Sequence, residues 1–290
     1  MNMNPKLLFI DIDGTLFDHA KDAIPESAKK AILSAKSKGH KIFLSTGRPY
    51  ADIDQEILNL PLDGMIVSCG AVVYVENKLI YCTTYPQKEL ISLIQFMLDN
   101  DIGFSLDGIH KNYLTEEAFN CLSGLILKNN EDSELSRAMM TKNNCFPFEE
   151  MKKEDLKKVV KISIFTKNKE ACEKLFQKIP DSLTGFMYKN NHLRLYNGEI
   201  SIKGITKGTG LQKITSYLNK AINDTIAIGD SLNDLDILKI AGLSICMDNG
   251  ADECKKAADF VTKDISDDGL AYAFKYFKLL FCKCMVNRKI

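Results

Sequence analysis

Two aspartates one residue apart, Asp11 and Asp13, follow directly on the apolar run Leu7-Leu8-Phe9-Ile10 and lead into the turn Gly14-Thr15. Such a run is the signature of a strand buried on both faces. Carboxylates at its end are costly to bury unless a cation or several donors meet them. Three further clusters offer those partners: Thr46 after Ile42-Phe43-Leu44-Ser45, Lys207 ahead of a helical pattern, and Asp230 with Asn233 and Asp234 after the run from Thr225 to Ile228. Carboxylates gathered in one place repel unless a cation sits among them. An all-oxygen donor set, without His or thiolate, points to Mg²⁺ over zinc or copper. A threonine hydroxyl and a lysine beside a magnesium site supply the donors and charge that the equatorial oxygens of a phosphoryl group need. The expected chemistry is phosphoryl transfer.

Each piece has a plainer meaning when taken singly. Asp-x-Asp-Gly is common turn punctuation, Ser231 and Asp234 have the spacing of a helix cap, Lys207 reads as a solvated lysine, and Thr46-Gly47-Arg48-Pro49 reads as a turn. Their joint occurrence, each at a strand end or helix start, favours a shared site.

The elements between them are those of a parallel sheet. Ala28, Ala31, Ile32 and Ala35 fall at helical spacing, Gly39 ends that helix, and Lys41 to Ser45 is a second strand, which makes a βαβ unit. Strand ends of such a unit lie side by side at one sheet edge, where ligands bind in open α/β sheets. A helix from Tyr50 to Leu58, a strand Gly64 to Ser68 and a hairpin from Ala71 to Cys82 follow. From about Thr84 to Asn197 the order changes, with helices Lys88–Leu98 and Lys169–Gln177 and strands at Gly103–Leu106, Lys111–Leu114, Val159–Phe165 and His192–Tyr196. The α/β pattern resumes at Gly204. The expected fold is α/β: a Rossmann-like parallel-sheet core, residues 1–83 and 199–290, with an inserted α+β cap domain at 84–198.

The formal net charge is zero, from 38 basic and 38 acidic side chains, so no global field favours nucleic acid or an anionic membrane. Nine cysteines are scattered without paired spacing, and Cys282-x-Cys284 lacks the companions of a zinc site. With no signal-peptide pattern and no apolar run of about 20 residues, the expectation is a cytoplasmic protein with reduced thiols. The aromatic stripe Phe274, Phe277, Leu280 and Phe281, within the basic run from Tyr272 to Lys289, is expected to pack on the protein's own core.

Asp11-Ile12-Asp13-Gly14-Thr15-Leu16, Ser45-Thr46-Gly47-Arg48-Pro49, Thr206-Lys207-Gly208 and Gly229-Asp230-Ser231-Leu232-Asn233-Asp234 resemble the four motifs of the haloacid dehalogenase-like hydrolases, in their Cof-type sugar-phosphatase branch. Met247-Asp248-Asn249-Gly250-Ala251 and Asp267-Asp268-Gly269-Leu270 extend the likeness through the core. The resemblance implies that Asp11 is a nucleophile forming an aspartyl-phosphate and Asp13 the general acid and base. It implies that Asp11, the Asp13 main-chain carbonyl and Asp230 hold Mg²⁺, supported by Asn233 and Asp234, while Thr46, Gly47 and Lys207 bind the phosphate. Cys69 stands where the family commonly has Asn, and Ser231 where Gly is common, which bears on positioning and substrate choice. Arg48 at the hinge, with Asp107, His110, Lys111, Lys189, His192 and Arg194 in the insert, are candidate substrate contacts. His192 and Arg194 share one strand face.

The function expected is therefore a Mg-dependent phosphatase acting on a small phosphorylated metabolite, a sugar or cofactor phosphate, with no nucleic-acid or membrane partner and no signal for oligomeric state. The alternatives are a phosphotransferase or mutase using the same intermediate, and a phosphoryl-ligand binding protein.

Overall fold

The computed structural model describes residues 4–126, 144–190 and 195–281. Its strands are β1 Leu7–Ile10, β2 Lys41–Ser45, β3 Gly64–Val67, β4 Val72–Val75, β5 Lys78–Cys82, β6 Gly103–Gly108, β7 Asn112–Leu114, β8 Cys145–Pro147, β9 Val159–Thr166, β10 Leu183–Asn190, β11 Leu195–Ile202, β12 Thr225–Gly229, β13 Leu243–Cys246 and β14 Phe260–Val261. They form two sheets, and the chain divides into two compact units: Met1–Thr46, Gln55–Ile80 and Thr206–Ile290 in the first, Gly47–Asp54 and Tyr81–Ile205 in the second.

The first unit is built on the sheet β14-β13-β12-β1-β2-β3-β4-β5. Strand β1 lies at its centre, parallel to β12 on one side and β2 on the other, with Ile10 level with both Ile228 and Leu44. All four residues of β1 are buried, as their uninterrupted apolar run requires. Phe9 stacks on Phe43 at 5.1 Å between centroids. The common register brings Asp11, Thr46 and Asp230 out at the same edge of the sheet. The helix Glu26–Ser37 buries Ala28, Ala31, Ile32 and Ala35, the four positions its spacing marks. Gly39 then turns the chain at φ 92°, as a left-handed cap does. In the β4–β5 hairpin the turn is Glu76-Asn77, at positive φ of 49° and 61°. Positive φ at both turn residues matches the twist of the flanking strands. The sequence suggests Asn77-Lys78 there, one residue on.

The second unit carries the sheet β10-β11-β9-β6-β7-β8. Alternation sorts its residues: Phe104, Leu106, Ile162, Ile164 and Ile200 join Leu90, Leu93 and Met97 of the helix Gln87–Asp99 and Leu175 of the helix Lys169–Gln177 in one apolar core. Ser105, Asp107, Lys161, Ser163 and Glu199 take the other face, paired across β6, β9 and β11. The segment Gly47–Asp54 joins this unit through Lys161 Nζ, which donates to the Gly47 carbonyl at 3.1 Å, and Asn112 Nδ2, which donates to Asp52 Oδ1 at 2.7 Å.

Three expectations about elements change. The helix read from Tyr50 to Leu58 is a single turn at Tyr50–Asp52 and a short helix Gln55–Leu58, broken where Ile53 turns extended at ψ 121°. Neither β8 nor β10 is anticipated by the sequence pattern. The C-terminal helix spans Gly269–Tyr276, with Leu270, Ala273 and Phe274 buried; of the expected core-packing stripe only Phe274 is fully buried, Phe277 and Leu280 are half-buried and Phe281 is exposed. Residues 282–290 and 191–194 lie outside the described residues, so the expected strand beginning at His192 is seen only from Leu195. No helix among the described residues is long and apolar enough to cross a membrane.

Candidate active site

Asp11 is the first residue beyond β1, 4% exposed, its N–H donating to the Ile228 carbonyl at 2.9 Å. The chain then folds back sharply, the Ile12 carbonyl accepting from the N–H groups of Leu16 and Phe17 at 2.9 and 2.8 Å. Gly14 makes this turn at φ +81°, and a Cβ there would fall 2.5 Å from Asp230 Oδ2. Both conformation and space therefore call for glycine. Thr15 Oγ1 donates to Asp230 Oδ1 at 2.8 Å, joining the first loop to the fourth.

Lys207 enters from the start of the helix Lys207–Tyr217. Thr206 caps that helix in a reciprocal pair with Thr209, and Asp236 Oδ2 accepts from the Gly208 N–H at 2.7 Å, which fixes where the helix begins. From there the lysine side chain, fully buried, donates to Asp11 Oδ1 at 2.7 Å, Asn233 Oδ1 at 2.5 Å and Asp234 Oδ1 at 2.6 Å. Burial opposes its charge, but the carboxylates of Asp11 and Asp234 outweigh that and hold its pKa well above the ordinary lysine value. The ammonium is locked on.

Asp234 divides its oxygens. Oδ2 accepts from the N–H groups of Asp230 and Ser231, each at 3.1 Å, closing the cap that the Ser231 to Asp234 spacing suggests, and Oδ1 takes Lys207. Asn233 Oδ1 also accepts from Ser231 Oγ at 2.9 Å. Asn249, quoted in the sequence only as part of the stretch from Met247 to Ala251 and given no role there, braces the first loop by donating from Nδ2 to the Gly14 carbonyl at 2.8 Å while its Oδ1 accepts from the Ile265 N–H at 2.9 Å.

Oxygens of Asp11, Asp230 and Asp234 all lie within 4.8 Å of one another. Burial first, then the neighbouring charge of Asp234, raises Asp11 well above the usual carboxylate range and pushes Asp230 up to about 7. One ammonium does not balance these carboxylates. The donor set, oxygen throughout and in excess of its cation, fits a hard divalent ion.

The remaining expected residues fall as follows. Thr46 is completely buried one residue past β2, its N–H donating to the Ile66 carbonyl at 2.9 Å. Gly47 and Arg48 belong to the second unit; Arg48 is buried and its Nη1 donates to Asp54 Oδ2 at 3.0 Å and to the Asp52 carbonyl at 3.2 Å. Asp107 is buried too, accepting from Ser105 Oγ at 2.6 Å. His110, Lys111 and Lys189 are exposed. His192 and Arg194 lie outside the described residues. Cys69, in the place of a family Asn, sits at φ 52° and ψ 31°. That left-handed conformation favours Asn and makes the loop strained.

Residues 8–274 match the family model of the haloacid dehalogenase-like hydrolases. The chain is 28% identical to the putative phosphatase YkrA of Bacillus subtilis over 278 residues, 96% of this chain and all of YkrA. It is 27% identical to the 5-amino-6-(5-phospho-D-ribitylamino)uracil phosphatase YcsE of the same organism, over 94% of this chain and 96% of that one. Among solved structures, the HAD subclass IIB sugar phosphatase BT4131 superposes with a TM-score of 0.74 at 27% identity, over 95% of this chain and all of that one.

Proposed function

We propose, from the premise that this chain belongs to the haloacid dehalogenase-like hydrolases of the Cof type, a Mg²⁺-dependent phosphatase of small phosphorylated metabolites. The chain is a phosphoric monoester hydrolase, as its relatives are named; the metal and the substrate class, sugar or cofactor phosphates, are the proposal. The observation that carries it is the ammonium of Lys207 clamped between Asp11 and Asp234 beside Asp230. That arrangement fixes a carboxylate at the end of β1 and puts positive charge where phosphoryl oxygens would arrive.

In the proposed reaction an Asp11 carboxylate oxygen attacks phosphorus and the bond from phosphorus to the substrate oxygen breaks. Asp13 gives its proton to the departing alkoxide, so that an alcohol leaves. Asp13, now ionised, takes a proton from water, whose oxygen attacks the aspartyl-phosphate; phosphate leaves and Asp11 is restored. Lys207, with Thr46 and Gly47, holds the phosphoryl oxygens. Asp11, the Asp13 carbonyl and Asp230 would hold the divalent ion, with Asn233 and Asp234 in support, and when bound it supplies charge that keeps Asp11 ionised and offsets the phosphoryl group. The second unit is proposed to act as the cap that meets the organic part of the substrate, with Arg48, His192 and Arg194 as candidate contacts.

The test is phosphate release from a panel of phosphorylated metabolites with and without Mg²⁺, for the wild type and Asp11→Asn. Magnesium-dependent release that Asp11→Asn abolishes is expected. Full activity in that variant, or no release across the panel, refutes the proposal.

A further inference from the structure

The loop after Asp13 carries a histidine that neither the motifs nor the mechanism above uses. It is a fixed loop. Gly14 N–H donates to the Phe17 carbonyl at 3.1 Å, and Asp18 and Ala23 exchange backbone hydrogen bonds at 3.0 and 3.2 Å, pinning the chain on both sides of His19. Asp18 is buried and its Oδ1 accepts from the Ala20 N–H at 3.0 Å, which locks the turn that presents the ring. The ring of Phe17 lies 5.3 Å from that of His19, tilted by 58°.

So held, His19 Nε2 stands 2.8 Å from Asp13 Oδ1, and no other carboxylate among the described residues comes within ion-pair distance of it. Both ring nitrogens are shielded from water, and neither completes a hydrogen bond within the described residues; the approach to Asp13 is close but off the line that a hydrogen bond needs. His40, also buried, differs in part: its Nδ1 accepts from the Lys6 N–H at 2.9 Å, while its Nε2 completes no hydrogen bond within the described residues, so what sets His19 apart is the carboxylate 2.8 Å from its Nε2. Side chains that transfer protons are commonly misaligned in the resting enzyme and align when substrate binds. The side chains of Asp13 and His19 are 13% and 18% exposed, so the pair is sheltered yet reachable from the site.

We propose that His19 is the positioning residue for Asp13: the ring abuts the carboxyl and holds it in the rotamer that delivers its proton to the leaving oxygen. The inference rests on the phosphatase reading. Its chemistry is that of Asp13 alone, since His19 neither gains nor loses a proton in the step as written; its contribution is geometric.

The experiment compares two probes on the full-length protein with Mg²⁺. An alkyl phosphate that the wild type hydrolyses needs a proton on its leaving oxygen, whereas p-nitrophenyl phosphate releases a stable phenolate that does not. For His19→Ala, kcat/KM on the alkyl phosphate should fall by roughly 10²-fold or more, the low end of what general acid catalysis supplies. On p-nitrophenyl phosphate, kcat/KM, which reports phosphorylation of the enzyme, should change less than about 3-fold, while a burst appears because Asp13 also activates water. In an Asp13→Asn background His19→Ala should add no further loss, since it acts through that carboxyl. Equal losses on both probes, or an additional loss in the Asp13→Asn background, overturns the role. His19→Gln keeps a side-chain nitrogen at similar reach and should recover part of the alkyl-phosphate rate; if His19→Ala does not fold, this variant carries the same two-probe comparison. A wild type inactive on both probes overturns the phosphatase reading and this inference with it, whereas an active wild type with parallel losses overturns His19 alone.

Discussion

Lys207→Met probes the centre of the site. Methionine fills much of the lysine's volume but removes the ammonium that meets Asp11, Asn233 and Asp234 at 2.7, 2.5 and 2.6 Å. The residue is 1% exposed, so bulk water does not replace it. Breaking a buried ion pair from one side destabilises by about 3–5 kcal/mol, which for a chain of this size lowers the melting midpoint by roughly 6–20 °C. The loss has a pH signature. Asp11 and Asp230 already sit above the ordinary carboxylate range through burial and their neighbours, and removing Lys207 raises them further. A carboxyl whose folded pKa exceeds its unfolded one binds a proton on folding, so it favours the fold below its unfolded pKa, and that contribution is lost as pH rises through the folded value. The gap between Lys207→Met and wild type is therefore widest near about pH 8 and narrows toward about pH 5. Urea titrations of both proteins across that range measure it, and phosphate release should fall by roughly 10²–10³-fold, the loss typical of one donor aimed at transition-state charge. A stability gap under about 1 kcal/mol throughout, or one that widens on acidification, would refute the reasoning.

Gly14→Ala places a methyl 2.5 Å from Asp230 Oδ2 at φ +81°. It should cost about 1–2 kcal/mol of backbone strain and at least roughly 10-fold in phosphate release, and an active, equally stable variant would contradict the packing described. Asp52 is pushed up to about 8, by burial first and the charge of Asp107 second. Its contribution to stability is thus present below the unfolded pKa and lost as pH rises toward about 8; Asp52→Asn should remove a decline of up to about 1.4 kcal/mol per pH unit, and identical pH slopes for the two proteins would count against it. Phe274→Ala empties a fully buried position on the helix Gly269–Tyr276. It should cost about 3–5 kcal/mol in chemical denaturation; a loss below about 1 kcal/mol would mean that this stripe does not pack on its own core.

What the sequence reveals follows from how local each cause is. Asp11, Thr46 and Asp230 are legible because each ends an apolar run in a parallel sheet, and the common register of β12, β1 and β2 then aligns them. The helix Lys169–Gln177 is read residue for residue, because the causes of a helix are local; the structure adds its cap, Asn168 Oδ1 accepting from the Ala171 N–H at 3.1 Å. Strand β10 is missed because Gly185 interrupts its pattern and Phe186 is 52% exposed. Pairing with β11, and not burial, defines that strand. The break at Ile53 and the engagement of Asp52 by Asn112, sixty positions later, are settled by contacts that no window of neighbouring residues contains. His19 is invisible for the same reason in reverse: it lies six residues from Asp13, but only the fold-back through Ile12 and the bridge at Asp18 turn its ring toward the carboxyl.

The fourth motif shows why a structural and a functional meaning of one residue need not compete. Ser231 and Asp234 form the reciprocal cap their spacing suggests, and capping alone would explain an aspartate there. A carboxylate has two oxygens, however, and capping uses one: Oδ2 takes the N–H groups of Asp230 and Ser231 while Oδ1 faces Lys207. The cap fixes the rotamer, and the fixed rotamer aims the free oxygen. Gly229 makes room for this, since a Cβ there would lie 2.4 Å from Asp234 Cγ. The same device recurs at Thr206, where capping the helix sets the root of the Lys207 side chain. Both ends of the ion pair are therefore anchored by helix termini before any ligand binds, which is what an electrostatic site needs if its charges are not to reorganise during the reaction.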